Sequence, residues 1–109
     1  MNPKIRFSKN WNNKLNQKYF TTIRKYSKSR LTYYLNRENK IFDVMLNGKK
    51  VCEAKLISAE AMQFIDLPDA FLMVDTGLPL NEAIELFKKM GIETVTDSVI
   101  ILTFRKVRL

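Results

Sequence analysis

Lys18-Tyr19-Phe20-Thr21-Thr22-Ile23-Arg24 sets a lysine, two adjacent hydroxyls and an arginine among aromatic and β-branched residues that favour extended backbone. Period-two alternation predicts a short strand with Lys18, Phe20, Thr22 and Arg24 on one face and Tyr19, Thr21 and Ile23 on the other. A face that carries lysine, hydroxyl and guanidinium together is costly to bury unless a partner or ligand answers it. Much of the functional reading therefore starts here.

Toward the N-terminus, Lys4 to Phe7 reads as a short opening strand with Ile5 and Phe7 pointing the same way. Ser8 or Asn10 can cap a short helix over residues 9 to 16, since both side chains accept from free amides at a helix start. Four-residue spacing docks Trp11 and Leu15 on its inner face and leaves Asn12, Asn13, Lys14 and Asn16 outside.

Toward the C-terminus, Ser27 to Asn39 is polar and basic, with Leu31, Tyr33 and Leu35 alternating, and reads as a loop with a few extended residues. Ile41 to Leu46 and Val51 to Ile57 flank Asn47-Gly48, a dipeptide suited to the positive φ angles of a tight hairpin. Phe42, Val44 and Leu46 then face Cys52, Ala54 and Leu56, which makes Cys52 a small core residue and not a nucleophile.

Glu60 to Phe71 is mixed in pattern, with Asp66-Leu67-Pro68-Asp69 marking a turn or helix start. Val74-Asp75-Thr76-Gly77 places an acid and a hydroxyl just before a glycine. Pro79 suits the first turn of a helix in which Leu80, Ala83, Ile84, Phe87 and Met90 keep helical spacing up to a capping Gly91. Val99 to Val107 is rich in β-formers and continuously apolar in its middle, as expected of a central strand. Strand, helix, strand, hairpin, helix, strand describes one α+β domain over residues 1–109, its strands curling into a barrel.

Composition narrows the chemistry. A chain of 109 residues, 46% of them hydrophobic, suits one folded core. No apolar run approaches the roughly 20 residues of a membrane helix, and the polar N-terminus lacks the apolar segment of a signal peptide. The single cysteine fits a reducing compartment, so the expectation is a soluble cytoplasmic protein. With no histidine, Ser-His-Asp and Cys-His catalysis and an ordinary zinc site are excluded, and no metal or cofactor is expected.

The net charge of +8 is lopsided: residues 1–37 hold ten basic side chains and no acid, whereas residues 56–109 hold five basic and eight acidic ones. A one-sided basic surface is the footprint of a polyanion binder, and RNA or a nucleotide suits it better than a membrane. A merely solubilising charge would not need this asymmetry.

A lysine followed closely by Thr22-Ile23-Arg24, after a short N-terminal helix, resembles the ASCH domain, a branch of the PUA-like β-barrels. Members open with a helix leading to Gly-x-Lys-x-x-Thr-x-Arg, pair strands around a hairpin, and insert a helix before a closing strand. The resemblance spans about Phe7 to Phe104. It implies a small PUA-like mixed β-barrel with two or three flanking helices, and an RNA- or nucleoside-binding cleft between barrel and helices. In a narrower bacterial branch, amidohydrolases that remove acetyl from N4-acetylcytidine, a lysine, a threonine and a later glutamate act together. By position this implies Lys18, Thr22 and Asp75 as the catalytic set and Arg24 as the motif arginine.

This chain departs from the pattern in three places. Asn16 stands at the glycine position, Lys18 precedes Thr22 by four residues instead of three, and Asp75 is a methylene shorter than glutamate. In a regular strand the offset of four keeps Lys18 and Thr22 on one face; with a bulge, Thr21 takes the threonine role.

The residues support such a cleft in other ways. A lysine of lowered pKa can take a hydroxyl proton, and Asp75 can hold a substrate amine or pass a proton to the leaving group. Arg24 beside hydroxyls reads as a fork for phosphate or carboxylate, and a salt bridge to Asp75 is compatible with that. Tyr33 and Tyr34, interleaved with Lys25, Lys28, Arg30 and Arg37, suit base stacking with phosphate neutralisation. Thr21 and Thr76 complete the expected ligand-binding set, Asp75-Thr76 serving otherwise as a helix-capping pair. Three function classes follow: a binding module for RNA or a nucleoside-containing ligand, an amidohydrolase of acylated cytidine, and a non-catalytic module binding DNA or an acidic protein.

Overall fold

Five strands, β1 (Lys4–Phe7), β2 (Tyr19–Lys25), β3 (Ile41–Leu46), β4 (Lys49–Gln63) and β5 (Ser98–Arg108), form one sheet in the order β1-β3-β4-β5-β2. β1 runs parallel to β3 and every other pair is antiparallel. The computed structural model describes residues 1–67, 75–78, 80–89, 92 and 97–108. The sheet curls into a half-barrel whose edge strands approach each other: Phe7 of β1 meets Phe20 of β2 edge-on, ring centroids 6.2 Å apart.

The hairpin forms as its dipeptide predicts, with φ of 51° at Asn47 and 83° at Gly48. Inside the curl, Phe104 stacks on Phe20 at 5.3 Å and meets Phe42 edge-on at 5.4 Å. Ile5, Val44, Cys52, Ala54, Leu56, Ile100 and Leu102 fill the space around them. β5 is central and buried on both sides, so its apolar run serves two cores. Ile100 and Leu102 point into the barrel, whereas Val99 and Ile101 pack outside it with Ile23, Ala83 and Phe87.

Those last two residues belong to α2 (Leu80–Lys89), whose Ala83, Ile84 and Phe87 keep the expected helical spacing. Pro79, Met90, Gly91 and Val74, assigned to the same region by sequence, lie outside the described residues.

Four local expectations are corrected. Ser27 to Asn39 is not a loop: α1 (Lys28–Leu35) occupies it, started by Ser27, whose Oγ accepts from the Arg30 amide at 3.1 Å. Leu31 and Tyr34, three apart, pack on the barrel core, and this helical spacing outweighs the chance alternation of Leu31, Tyr33 and Leu35. Glu60 to Gln63 is strand, because β4 continues past Ile57 through a register shift between Leu56 and Ser58. The segment of residues 9 to 16 is a 3-10 turn over Trp11–Asn16, not an α-helix, and Asn10 Oδ1 accepts from the Leu15 amide instead of a first-turn amide.

The fourth correction reaches the site. Lys14, expected outside, is buried at 7% exposure. Three residues per turn, with a left-handed Asn13 at φ 58°, place it differently from an α-helical wheel.

Candidate functional site in the gap between the edge strands

Between β1, β2 and α2 lies a cavity of about 210 Å³, lined by Arg6, Phe7, Ser8 and Lys9, by Lys14, by Thr22, Ile23 and Arg24, by Asp75 and Thr76, and by Leu86 and Phe87. Topology puts it there. β1 and β2 are the two edges of the curled sheet, so no strand ladder closes the gap between them, and side chains bridge it instead. The Arg24 guanidinium does so directly, donating from Nη2 to the Arg6 carbonyl at 3.0 Å while lying 4.8 Å from the Phe7 ring centroid.

β2 pairs with β5 in unbroken register from Tyr19 opposite Arg105 to Lys25 opposite Val99, without a bulge. Thr22 therefore stays on the face of Phe20 and Arg24, and Thr21 on the other. Arg24 Nε donates to Thr22 Oγ1 at 3.2 Å, so strand alternation sets the arginine and its acceptor two residues apart on one side. Thr21 donates to Asp75 Oδ1 at 2.7 Å, and the Lys14 ammonium donates to the same oxygen at 3.3 Å. Lys14 and Asp75 thus form an ion pair with both side chains almost wholly buried.

Burial shapes the charges. Desolvation pulls the Lys14 pKa below its ordinary value, with Asp75 opposing the shift. Desolvation also lowers the Arg24 pKa, with Tyr34 and Asp75 pushing it back. Arg24 remains a cation at any physiological pH. Among the described residues no carboxylate forms an ion pair with it, because Asp75 is taken by Lys14 and Thr21. Among the described residues the cavity wall therefore carries Lys14 and Arg24 inside against the carboxylate of Asp75, with the exposed Arg6 and Lys9 also lining it.

Of the sequence-derived catalytic set, Thr22 and Asp75 line this cavity and Lys18 does not. Lys18 immediately precedes β2, where its carbonyl accepts from the Lys106 amide at 2.7 Å; it is exposed and holds its ammonium 5.8 Å from the Tyr19 ring centroid. The buried amine is Lys14, which sequence reasoning placed outside. Its only possible signal was a 3-10 turn in the Asn-rich segment, which α-helical spacing cannot reveal.

Arg24 and Thr76 are also cavity residues, and the Thr76 hydroxyl accepts from the Leu78 amide at 3.1 Å. Thr21 reaches Asp75 from the other face of β2. Lys25, Arg30 and Tyr34 border a neighbouring groove with Lys4, Ile5, Arg6 and Arg24. Lys28 and Tyr33 are exposed and border neither space; Tyr33 instead stacks under Arg37, 3.7 Å from guanidinium carbon to ring centroid. Arg6 and Phe7 were missed, since nothing in a four-residue strand tells which strand lies across the gap.

No protein-family model matches the sequence, and no curated protein matches it. Among solved structures the chain is similar to the crystal structure of an ASCH domain from Lactobacillus crispatus JV V101, with a TM-score of 0.57 and 18% sequence identity over 90% of this chain and 70% of that one. No helix among the described residues is long and apolar enough to cross a membrane. Curled half-barrel and flanking helices together give this chain the fold of the ASCH domain, a small α+β architecture.

Proposed function

We propose that the protein binds RNA or a nucleotide, seating a nucleoside in the gap between β1 and β2 and its phosphate on Arg24. The observation that carries this reading is the guanidinium itself. Arg24 is held by the Thr22 hydroxyl and the Arg6 carbonyl, faces a cavity, and has no carboxylate partner among the described residues. A guanidinium oriented by neutral acceptors keeps its charge available for an anion, and its planar fork suits phosphate. Phe7 and the apolar wall from Leu86 and Phe87 offer surface for a base.

Amide hydrolysis of an acylated cytidine is the second reading, favoured by one observation: a buried amine of lowered pKa beside a carboxylate and a hydroxyl. The hydrogen bonds favour binding over cutting. Thr22, the threonine on the cavity wall, is bonded to Arg24 and not to a base, whereas Thr21, bonded to Asp75, is not a wall residue. A nucleophile needs base and access on the same hydroxyl.

The test is titration of purified protein with the four 5′-mononucleotides and their nucleosides. At least one nucleotide should bind more tightly than its nucleoside. Arg24→Ala should weaken that binding about 10- to 100-fold, as loss of a charged hydrogen bond worth roughly 1.5–3 kcal/mol implies, and Lys28→Ala should change it by less than about twofold. Equal losses in the two variants would mean diffuse charge and no defined site. N4-acetylcytidine should bind without turnover; hydrolysis abolished by Lys14→Ala would replace binding with the second reading.

A further inference from the structure

The cavity does not end at Arg24. Arg6 and Arg24 also border a second, more open groove of about 510 Å³, and there they are joined by Lys4, Ile5, Lys25, Arg30 and Tyr34. Among the described residues no acid borders this groove. Asp43, the neighbour of Lys4 across the β1–β3 pair, feels the Lys4 charge but makes its hydrogen bond and ion pair elsewhere, accepting from Asn2 at 3.1 Å and pairing with Lys50 at 3.3 Å. The groove floor is not mobile charge on long stems alone: Arg30 Nη1 donates to the Lys25 carbonyl at 2.6 Å, which ties the start of α1 to the end of β2. Three chain segments thus bring five cations to one channel that shares two of them with the nucleoside cavity.

We infer that this channel is a track for the backbone of a single-stranded polynucleotide, so that the cavity's ligand is one nucleotide of a strand and not a free nucleoside. The inference rests on the proposed nucleotide reading of the cavity and adds the class of ligand. A lone nucleoside would leave the groove's cations unanswered, and a mononucleotide would use only the shared pair. Successive phosphates leaving the cavity past Arg24 meet Lys4, Lys25 and Arg30 with no intervening acid. A duplex would hold its bases stacked and paired, unable to enter a cavity of about 210 Å³.

The experiment compares a 5′-mononucleotide with a fluorescein-labelled eight-residue RNA containing it, by titration and fluorescence anisotropy over a salt series. The oligonucleotide should bind at least tenfold more tightly, with log K falling against log salt at a slope of about −2, as three phosphates at roughly −0.7 each require for single strands. Lys4→Gln with Lys25→Gln removes two track charges whose ammonium groups make no described hydrogen bond. It should reduce oligonucleotide affinity about tenfold and flatten the slope while leaving mononucleotide affinity unchanged. DNA of the same sequence should bind within about threefold of RNA, since the track recognises phosphate.

An oligonucleotide that binds no better than its mononucleotide overturns the track and leaves the cavity reading standing. Binding of neither overturns the cavity reading and the track with it. Equal affinity for duplex, or a tenfold preference between RNA and DNA, also overturns the assignment of the strand's binding to this groove's phosphate contacts.

Discussion

Lys14 shows how much one buried amine can govern. It is held inside by Asp75 and by the Phe7 ring, 5.4 Å from ammonium to centroid, against a desolvation that lowers its pKa. Removing one member of a buried pair leaves the other charge uncompensated, so Lys14→Met should cost about 3 kcal/mol in urea unfolding. The pH dependence has a definite sign. Because the folded-state pKa lies below the unfolded value of 10.5, the unfolded chain binds more protons in the window between them, and stability there rises with pH. Wild type should therefore gain stability relative to Lys14→Met as pH approaches 10.5 from below; a parallel course of the two curves would place Lys14 in water. Thr22→Val, which removes only the acceptor of Arg24 Nε, should keep the fold, lose about 1 kcal/mol by thermal unfolding, and weaken nucleotide binding.

At the scale of elements, two connections between strands rest on single residues. α1 has eight residues, too short to persist without its cap and its docking through Leu31 and Tyr34. Ser27→Ala should cost about 1 kcal/mol and loosen the Arg30 bond to the Lys25 carbonyl, seen as faster amide exchange in α1. At the hairpin, Gly48 sits at φ 83° with open space around its Cα, so a methyl group would meet no neighbour. Gly48→Ala should still destabilise by about 1 kcal/mol, a purely conformational effect of the left-handed backbone.

For the whole molecule, the curl of the sheet is set by the aromatic interior. Phe104 bridges Phe20 and Phe42 and is fully buried, so Phe104→Ala should cost about 3–5 kcal/mol, close to what a domain of this size can lose. Collapse of that centre would also separate β1 from β2 and open the cavity, so the variant should lose ligand binding together with its folded circular dichroism signal. Cys52 reports the same core. Burial pushes its thiol pKa up, and thiol reagents should label it only at the rate of global unfolding; labelling within seconds of mixing under native conditions would show that the interior opens locally.

The sequence by itself determined the turn of the hairpin, the double-sided burial of β5 and the placement of Thr22 and Arg24 on one strand face, because two-residue alternation and turn chemistry are local properties. It also determined the excess of positive charge in the N-terminal third. What tertiary structure decided is which charges gather. Lys18 and Lys14 are both lysines near β2, and only the tight turn over Trp11–Asn16 puts Lys14 against Asp75 and leaves Lys18 in water. Arg6, Arg24 and Asp75 are far apart in the chain, and no local pattern records that β1 and β2 become the facing edges of one curled sheet. Edge geometry is a long-range consequence of strand order, so the gap that forms the site belongs to the fold and not to any one stretch of sequence.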